Sequence, residues 1–167
     1  MTLAADNAIS PCLWFDHQLE EAAAFYTSIF PNSSIGHLTR YPDSIPSQRG
    51  RVMAGEFTLD GLMFRAINGG PDHAGFTETI SFSVTCADQA EVDHYWSSLT
   101  ADGGEESVCG WLKDRFGLSW QIVPRRLYEL MGDPDPARAT AATEAMLRMR
   151  KIVVAELEAA ADSALTA

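Results

Sequence analysis

Gly110-Trp111-Leu112-Lys113-Asp114-Arg115-Phe116-Gly117-Leu118-Ser119-Trp120-Gln121-Ile122-Val123-Pro124 reads as two short strands joined by a turn, and its pattern occurs earlier in the chain, at Gly55 to Asn68. Gly61-Leu62, Phe64 and Ile67 recur 56 positions on as Gly117-Leu118, Trp120 and Val123. A helical pattern repeats upstream: Glu21, Phe25, Tyr26, Thr27, Ser28 and Ile29 recur 70 positions on as Glu91, Tyr95, Trp96, Ser97, Ser98 and Leu99. The two offsets differ, so the second copy is shorter between helix and hairpin by about one strand plus loop. In the first copy that interval holds a strand-like Ser34 to Thr39 and a Pro/Ser-rich loop at Tyr41 to Arg51; in the second it holds only Thr100 to Cys109. An internal repeat of this kind sets the architecture as a doubled unit.

Asp60-Gly61 between two apolar-rich runs is a two-residue hairpin signal, because a type I′ turn needs positive φ at both central positions. The register then pairs Phe57 with Phe64 on one face and Glu56 with Arg65 on the other, where opposite charges predict a cross-strand ion pair. A turn centred on Arg115-Phe116 pairs Trp111 with Trp120 and Gly110 with Gln121. This reading puts an aromatic pair on the core face of each hairpin and leaves Arg65 and Gln121 on the other. Thr79-Ile80-Ser81-Phe82-Ser83-Val84-Thr85 alternates as a half-buried strand does, with Ile80, Phe82 and Val84 facing helices and a hydroxyl row of Thr79, Ser81 and Ser83 opposite.

Leu19, Ala22, Ala23, Tyr26 and Ile29 form one helical apolar stripe, and Val92, Tyr95, Trp96 and Leu99 form another, with Asp88 and Glu91 as an N-capping pair. Asn68-Gly69-Gly70-Pro71 connects the halves. Asp135-Pro136 opens a C-terminal helix over 135–160, whose Met146, Met149, Val153 and Leu157 share a stripe.

Bulk properties narrow the function. A chain of 167 residues with 46% apolar content suits one domain built from two small modules. A formal charge of −11, with only the short basic run Arg148-Met149-Arg150-Lys151, argues against nucleic-acid binding, which needs a basic surface. No long apolar run predicts a membrane span, and the N-terminal sequence predicts no leader, so a cytoplasmic protein is expected. Cys12, Cys86 and Cys109 are expected to be buried free thiols, and His17, His37, His73 and His94 lack metal-motif spacing.

The doubled β-α-strand-hairpin unit resembles the vicinal oxygen chelate superfamily of glyoxalase I, bleomycin-resistance proteins and extradiol dioxygenases. The resemblance is closest to the PhnB-like group, often labelled 3-demethylubiquinone-9 3-methyltransferase-like. It runs from about Ile9 to Leu157 and rests most specifically on Asn68 to Pro71, Glu78 to Val84, Gly103-Gly104-Glu105-Glu106-Ser107 and the stretch quoted first. It implies an α+β fold of paired βαβββ modules, 9–68 and 75–124, forming a cup-like half-barrel sheet with the C-terminal helix appended. It further implies a homodimer and a small-molecule ligand in the cup.

Metal-dependent relatives hold their ion from the first and last strands of each module, which here correspond to Ile9, Thr79, Arg65 and Gln121. Only Gln121 offers a ligand oxygen, and Arg65 is a fixed cation, so no standard metal site and no cofactor are expected. Methyl transfer from S-adenosylmethionine is not expected either, because the chain has no Gly-rich loop opening an alternating βα series. The expected function is small-molecule binding by Glu56, Arg65, Thr79, Ser81, Ser83 and Gln121, with Met63 and Leu112 as apolar contacts. Whether a reaction is catalysed is left open by the residues. The alternative is an enzyme acting on a small metabolite with Glu56 as general base, either metal-independent or with a non-standard site drawing on His73.

Overall fold

The computed structural model describes residues 9–72 and 75–165; His73 lies outside them. The chain divides into two compact units, residues 1–75 and 76–167. Each is a βαβββ module around one four-stranded mixed sheet, open rather than closed, which makes the fold α+β.

In the first unit the elements are β1 (Cys12–Phe15), α1 (Leu19–Ile29), β2 (Ser34–Arg40), β3 (Val52–Leu59) and β4 (Leu62–Asn68), in the sheet order β1-β4-β3-β2. The strands β1 and β4 run parallel, and the rest of the sheet is antiparallel. The predicted first register is the observed one: Phe57 pairs with Phe64 and Glu56 with Arg65, across a turn whose Asp60 and Gly61 have φ of 44° and 80°. The Phe57 and Phe64 rings stack at 5.4 Å, with Tyr26 of α1 at 6.0 Å from Phe57. All five residues of the α1 stripe are buried against this face, and each large apolar side chain so enclosed is worth about 1.5–3 kcal/mol.

In the second unit β5 (Phe82–Cys86), α2 (Gln89–Thr100), β6 (Glu105–Glu106), β7 (Trp111–Lys113) and β8 (Ser119–Pro124) repeat the topology as β5-β8-β7-β6. The shortening expected between helix and hairpin is accommodated by reducing β6 to two residues. The α2 stripe is buried as expected, and Asp88 accepts the Glu91 N–H at 3.0 Å while Glu91 accepts the Ala87 N–H at 2.7 Å.

Three expectations are corrected here. The second hairpin pairs Trp111 with Gln121, Leu112 with Trp120 and Lys113 with Ser119, one residue from the predicted register. The cause is Asp114, 2% exposed, whose Oδ1 accepts the N–H groups of Phe116 and Leu118 and whose Oδ2 accepts Trp120 Nε1 at 2.8 Å, closing a longer loop than a two-residue turn. Because strand side chains alternate, the slip exchanges faces: Leu112 is core, and Trp111 joins Gln121 on the other side. Second, β5 begins only at Phe82, so Ile80 is 70% exposed and does not meet a helix. Third, the segment read as one C-terminal helix is two, α4 (Pro136–Arg148) and α5 (Val154–Ser163), preceded by an unforeseen α3 (Arg125–Met131). The break lets both helices and α3 enclose Val123, Leu127, Leu130, Met149, Ile152 and Leu157 in a core of their own.

The cysteines also separate. Cys12 is exposed and Cys109 half-buried, while Cys86 is buried beneath α2. Burial, reinforced by Glu91 and Asp88, pushes the Cys86 thiol up to about 12. Because the folded state keeps its proton where the unfolded state has lost it, Cys86 favours folding below the unfolded pKa and withdraws that support as pH rises from about 9 toward 12. A thiol-disulfide exchange reagent at pH near 8 is therefore expected to label Cys12 rapidly and Cys86 only after denaturation. Rapid labelling of a Cys12→Ser, Cys109→Ser variant in buffer would contradict this.

Candidate functional site

Each sheet has one face covered by the helix of its own module; on the second unit the Val123 end of the opposite face is covered by α3, α4 and α5. On the first unit, Cys12, Met63, Arg65, Ile67 and Glu56 share the helix-free face, because Arg65 is in register with Cys12 on one side and Glu56 on the other, and Ile67 with Trp14. Met63 and Glu56 are half-buried and Arg65 is exposed. Their opposition does not make the predicted ion pair: Glu56 and Arg65 have no side-chain hydrogen bond or salt bridge among the described residues. The Glu56 stem instead lies along the Gly36 backbone, where it would meet a Cβ at 3.0 Å. The result is an exposed guanidinium that makes no ion pair among the described residues, beside half-buried Met63 and Ile67.

On the second unit Gln121 is flanked in register by Ser83 of β5 and Trp111 of β7, and its Nε2 donates to Ser81 Oγ at 2.9 Å. Gln121, Ser81 and Ser83 are thus brought together. Thr79 is not with them: it sits in the turn before β5, bonded to the Thr77 hydroxyl at 2.6 Å. Leu112, expected as an apolar ligand contact, is 1% exposed and belongs to the core opposite Trp120. Reasoning from the sequence missed Trp111, Lys113 and Ser119, which share the Gln121 face. The Asp114-x-x-Gly117 spacing, a turn signal in which the Asp side chain caps its own loop, was the feature that would have found them.

Two cavities flank these faces. One of about 610 Å³ lies in the first unit, at the end of the β1/β4 pair, against Asp16, His17, Tyr41, Arg51 and Asn68. None of the sequence-predicted site residues lines it. Its floor is a clamp: Asn68 accepts the Leu19 N–H at 3.0 Å and donates to the Val52 carbonyl at 2.9 Å, while Trp14 Nε1 donates to the Gly70 carbonyl at 3.0 Å. The other, about 540 Å³, lies in the second unit along β6 and β7, bounded by Glu78, Glu105, Val108, Trp111, Lys113 and Ser119. There Lys113 Nζ and Glu78 are 2.5 Å apart; the hydrogen bond holds the Glu78 carboxyl below its ordinary range and raises the Lys113 ammonium.

The donor chemistry does not fit a divalent ion. The last-strand positions carry Arg65 and Gln121, and their in-register first-strand neighbours are Cys12 and Ser83. The positions Ile9 and Thr79 assigned from the sequence lie outside the strands, Ile9 being 90% exposed. Among the described residues no three His, Cys, Asp or Glu side chains cluster. A fixed cation at one vertex opposes a second positive charge.

Comparison with known proteins places these observations. The family model described as 3-demethylubiquinone-9 3-methyltransferase matches residues 7–123. The PhnB protein from Bacillus cereus, which carries the same methyltransferase description, is 34% identical over 71% of this chain and 99% of its own, with a TM-score of 0.65. Protein PA1353 from Pseudomonas aeruginosa is 20% identical over 71% of this chain and 98% of its own, with a TM-score of 0.59. The fosfomycin resistance protein FosX from Listeria monocytogenes, solved with Mn(II) and sulfate, shares the fold at 17% identity over 77% of this chain and 97% of its own, with a TM-score of 0.52. No curated protein matches. The helices α3, α4 and α5 lie beyond the residues that the family model covers.

Proposed function

This chain belongs to the 3-demethylubiquinone-9 3-methyltransferase family, as a PhnB-like member of the vicinal oxygen chelate superfamily, and from that premise we propose that it binds a small anionic metabolite on the sheet face of the first unit opposite α1, without a standard metal site. The observation that carries this reading is Arg65. Its exposed guanidinium stands on a sheet face with no ion pair among the described residues, beside Met63 and Ile67, and a guanidinium is a bidentate partner for carboxylate or phosphonate. On the second unit, taken by itself, Gln121, Ser81 and Ser83 offer a ligand only neutral hydrogen bonds, the Gln121 carbonyl oxygen being the acceptor left over from its bond to Ser81.

The family description does not extend to the chemistry proposed. Each sheet has a single parallel pair, not the alternating βα series that carries a Gly-rich cofactor loop. A second reading is favoured by Glu56: half-buried and without a hydrogen bond or ion pair among the described residues, it keeps its lone pairs for a substrate proton, so a bound anion with an acidic C–H would meet a general base on the same face as Arg65.

Thermal shift with a panel of short dicarboxylates and phosphonates tests the proposal. At about 100 times Kd a binding anion stabilises the fold by about 2.7 kcal/mol. At least one anion is expected to raise Tm in the natural protein and to lose that effect in Arg65→Gln. A full shift in Arg65→Gln, or none with any anion, would refute it. Turnover of the stabilising compound, lost in Glu56→Gln with the shift retained, would identify the enzyme.

A further inference from the structure

The cavity of the second unit holds a buried hydroxyl that no hydrogen bond satisfies among the described residues. Ser119 is 1% exposed and its Oγ has no hydrogen-bond partner among the described residues, although a buried hydroxyl left unpaired costs stability. Glu105, across Lys113 in the register Glu105–Lys113–Ser119, is exposed, makes no hydrogen bond or ion pair among the described residues, and acts on the Lys113 ammonium through its charge. The other charged groups have partners: Lys113 is held by Glu78, and Glu106 accepts Trp96 Nε1 at 2.8 Å and lies 3.9 Å from Arg150. Lys113 stands between these ends in the register, and the half-buried indole of Trp111 and the exposed Val108 line the same cavity.

We propose that this cavity is a binding site for a primary arylalkylamine: the ammonium on Glu105, the ring against Trp111, and a hydroxyl donor at the far end of the molecule on Ser119. Adjacent strands lie about 4.8 Å apart, so Glu105 and Ser119, two strands from one another, are separated by about 10 Å, a span that selects a ligand with both ends polar. Three carboxylates, Glu78, Glu105 and Glu106, against the single Lys113 ammonium, together with the indole face, favour a cation with an aromatic body, and the chain's net charge of −11 attracts it. The wall at Val108 and Cys109 is fixed from the C-terminal helices, since Cys109 and Gly110 N–H groups donate to the Met149 and Arg150 carbonyls at 2.8 Å. Those carbonyls lie beyond the residues shared with the family, so this site belongs to chains that carry the helical extension.

Calorimetric titration with tyramine, phenethylamine and p-hydroxyphenylacetate tests the assignment, on the natural protein and on Arg65→Gln, which separates this site from the anion site proposed above. Tyramine is expected to bind equally to both proteins, and p-hydroxyphenylacetate not to bind Arg65→Gln. Glu105→Gln should weaken tyramine about tenfold. Ser119→Ala should weaken tyramine about fivefold and leave phenethylamine unchanged. It should also melt no lower than the natural protein, because its hydroxyl has no partner to lose. Absence of tyramine binding, equal binding of the anion to Arg65→Gln, indifference to both Glu105→Gln and Ser119→Ala, or loss of tyramine binding in Arg65→Gln would overturn the proposal.

Discussion

Asp114→Ala is expected to destabilise the protein by about 3–5 kcal/mol, because it deletes a buried, charge-assisted acceptor and leaves its donors stranded. The carboxylate receives the N–H groups of Phe116 at 2.9 Å and Leu118 at 3.1 Å on one oxygen and Trp120 Nε1 at 2.8 Å on the other. Alanine removes the acceptor that Asp114 gives the Trp120 N–H, on a side chain 3% exposed, and releases the loop that sets the hairpin register. In a chain of this size the loss corresponds to a fall in Tm of about 10 °C. Asp114→Asn keeps one acceptor but turns an amide N–H₂ toward the remaining donors, so it should recover only part of the loss. Urea denaturation of the three proteins measures this, and a loss under about 1 kcal/mol for alanine would refute the account.

Gly110→Ala is the second large effect. Gly110 has φ of 82°, and a Cβ there would stand 2.8 Å from the Ile122 carbonyl oxygen and 3.2 Å from Ile152 Cγ1. The backbone cannot retreat, because the Gly110 carbonyl accepts the Ile122 N–H and its own N–H donates to the Arg150 carbonyl, each at 2.8 Å. Left-handed strain and overpacking together are expected to cost about 2–4 kcal/mol. Gly50→Ala supplies the control: φ is 77° but nothing lies within 4 Å of the added Cβ, so only the conformational term of about 1 kcal/mol should appear. Equal losses at the two positions by urea denaturation would show that the contact with Ile122 and Ile152 contributes nothing.

Both positions belong to the stretch whose repetition announced the fold, and they show where reading the sequence succeeds. Periodicity located α1 and α2 with all their buried residues, because a helix stripe is a local pattern with one solution. Asp60-Gly61 was equally local: a two-residue turn needing positive φ admits few sequences, and the Glu56–Arg65 register followed. The second hairpin failed by one residue because its turn is closed by a side chain, Asp114, rather than by backbone preference alone. That slip moved Leu112 into the core and Trp111, Lys113 and Ser119 onto the open face, which changed the membership of the site more than any error in helix or strand assignment.

From the amino-acid pattern alone came the doubled unit, the core face of each helix, and the placing of Arg65 and Gln121 on the sheet faces opposite α1 and α2. These follow from residue type and period, which are properties of neighbours along the chain. Tertiary structure decided that Glu56 and Arg65 stand opposite without bonding, that Thr79 leaves the hydroxyl row, that the C-terminal segment breaks into α4 and α5 around its own core, and that Ser119 is buried without a partner. Each depends on which groups distant in sequence satisfy one another. A buried carboxylate or an unpaired hydroxyl is defined by its surroundings, and those exist only once the chain has folded.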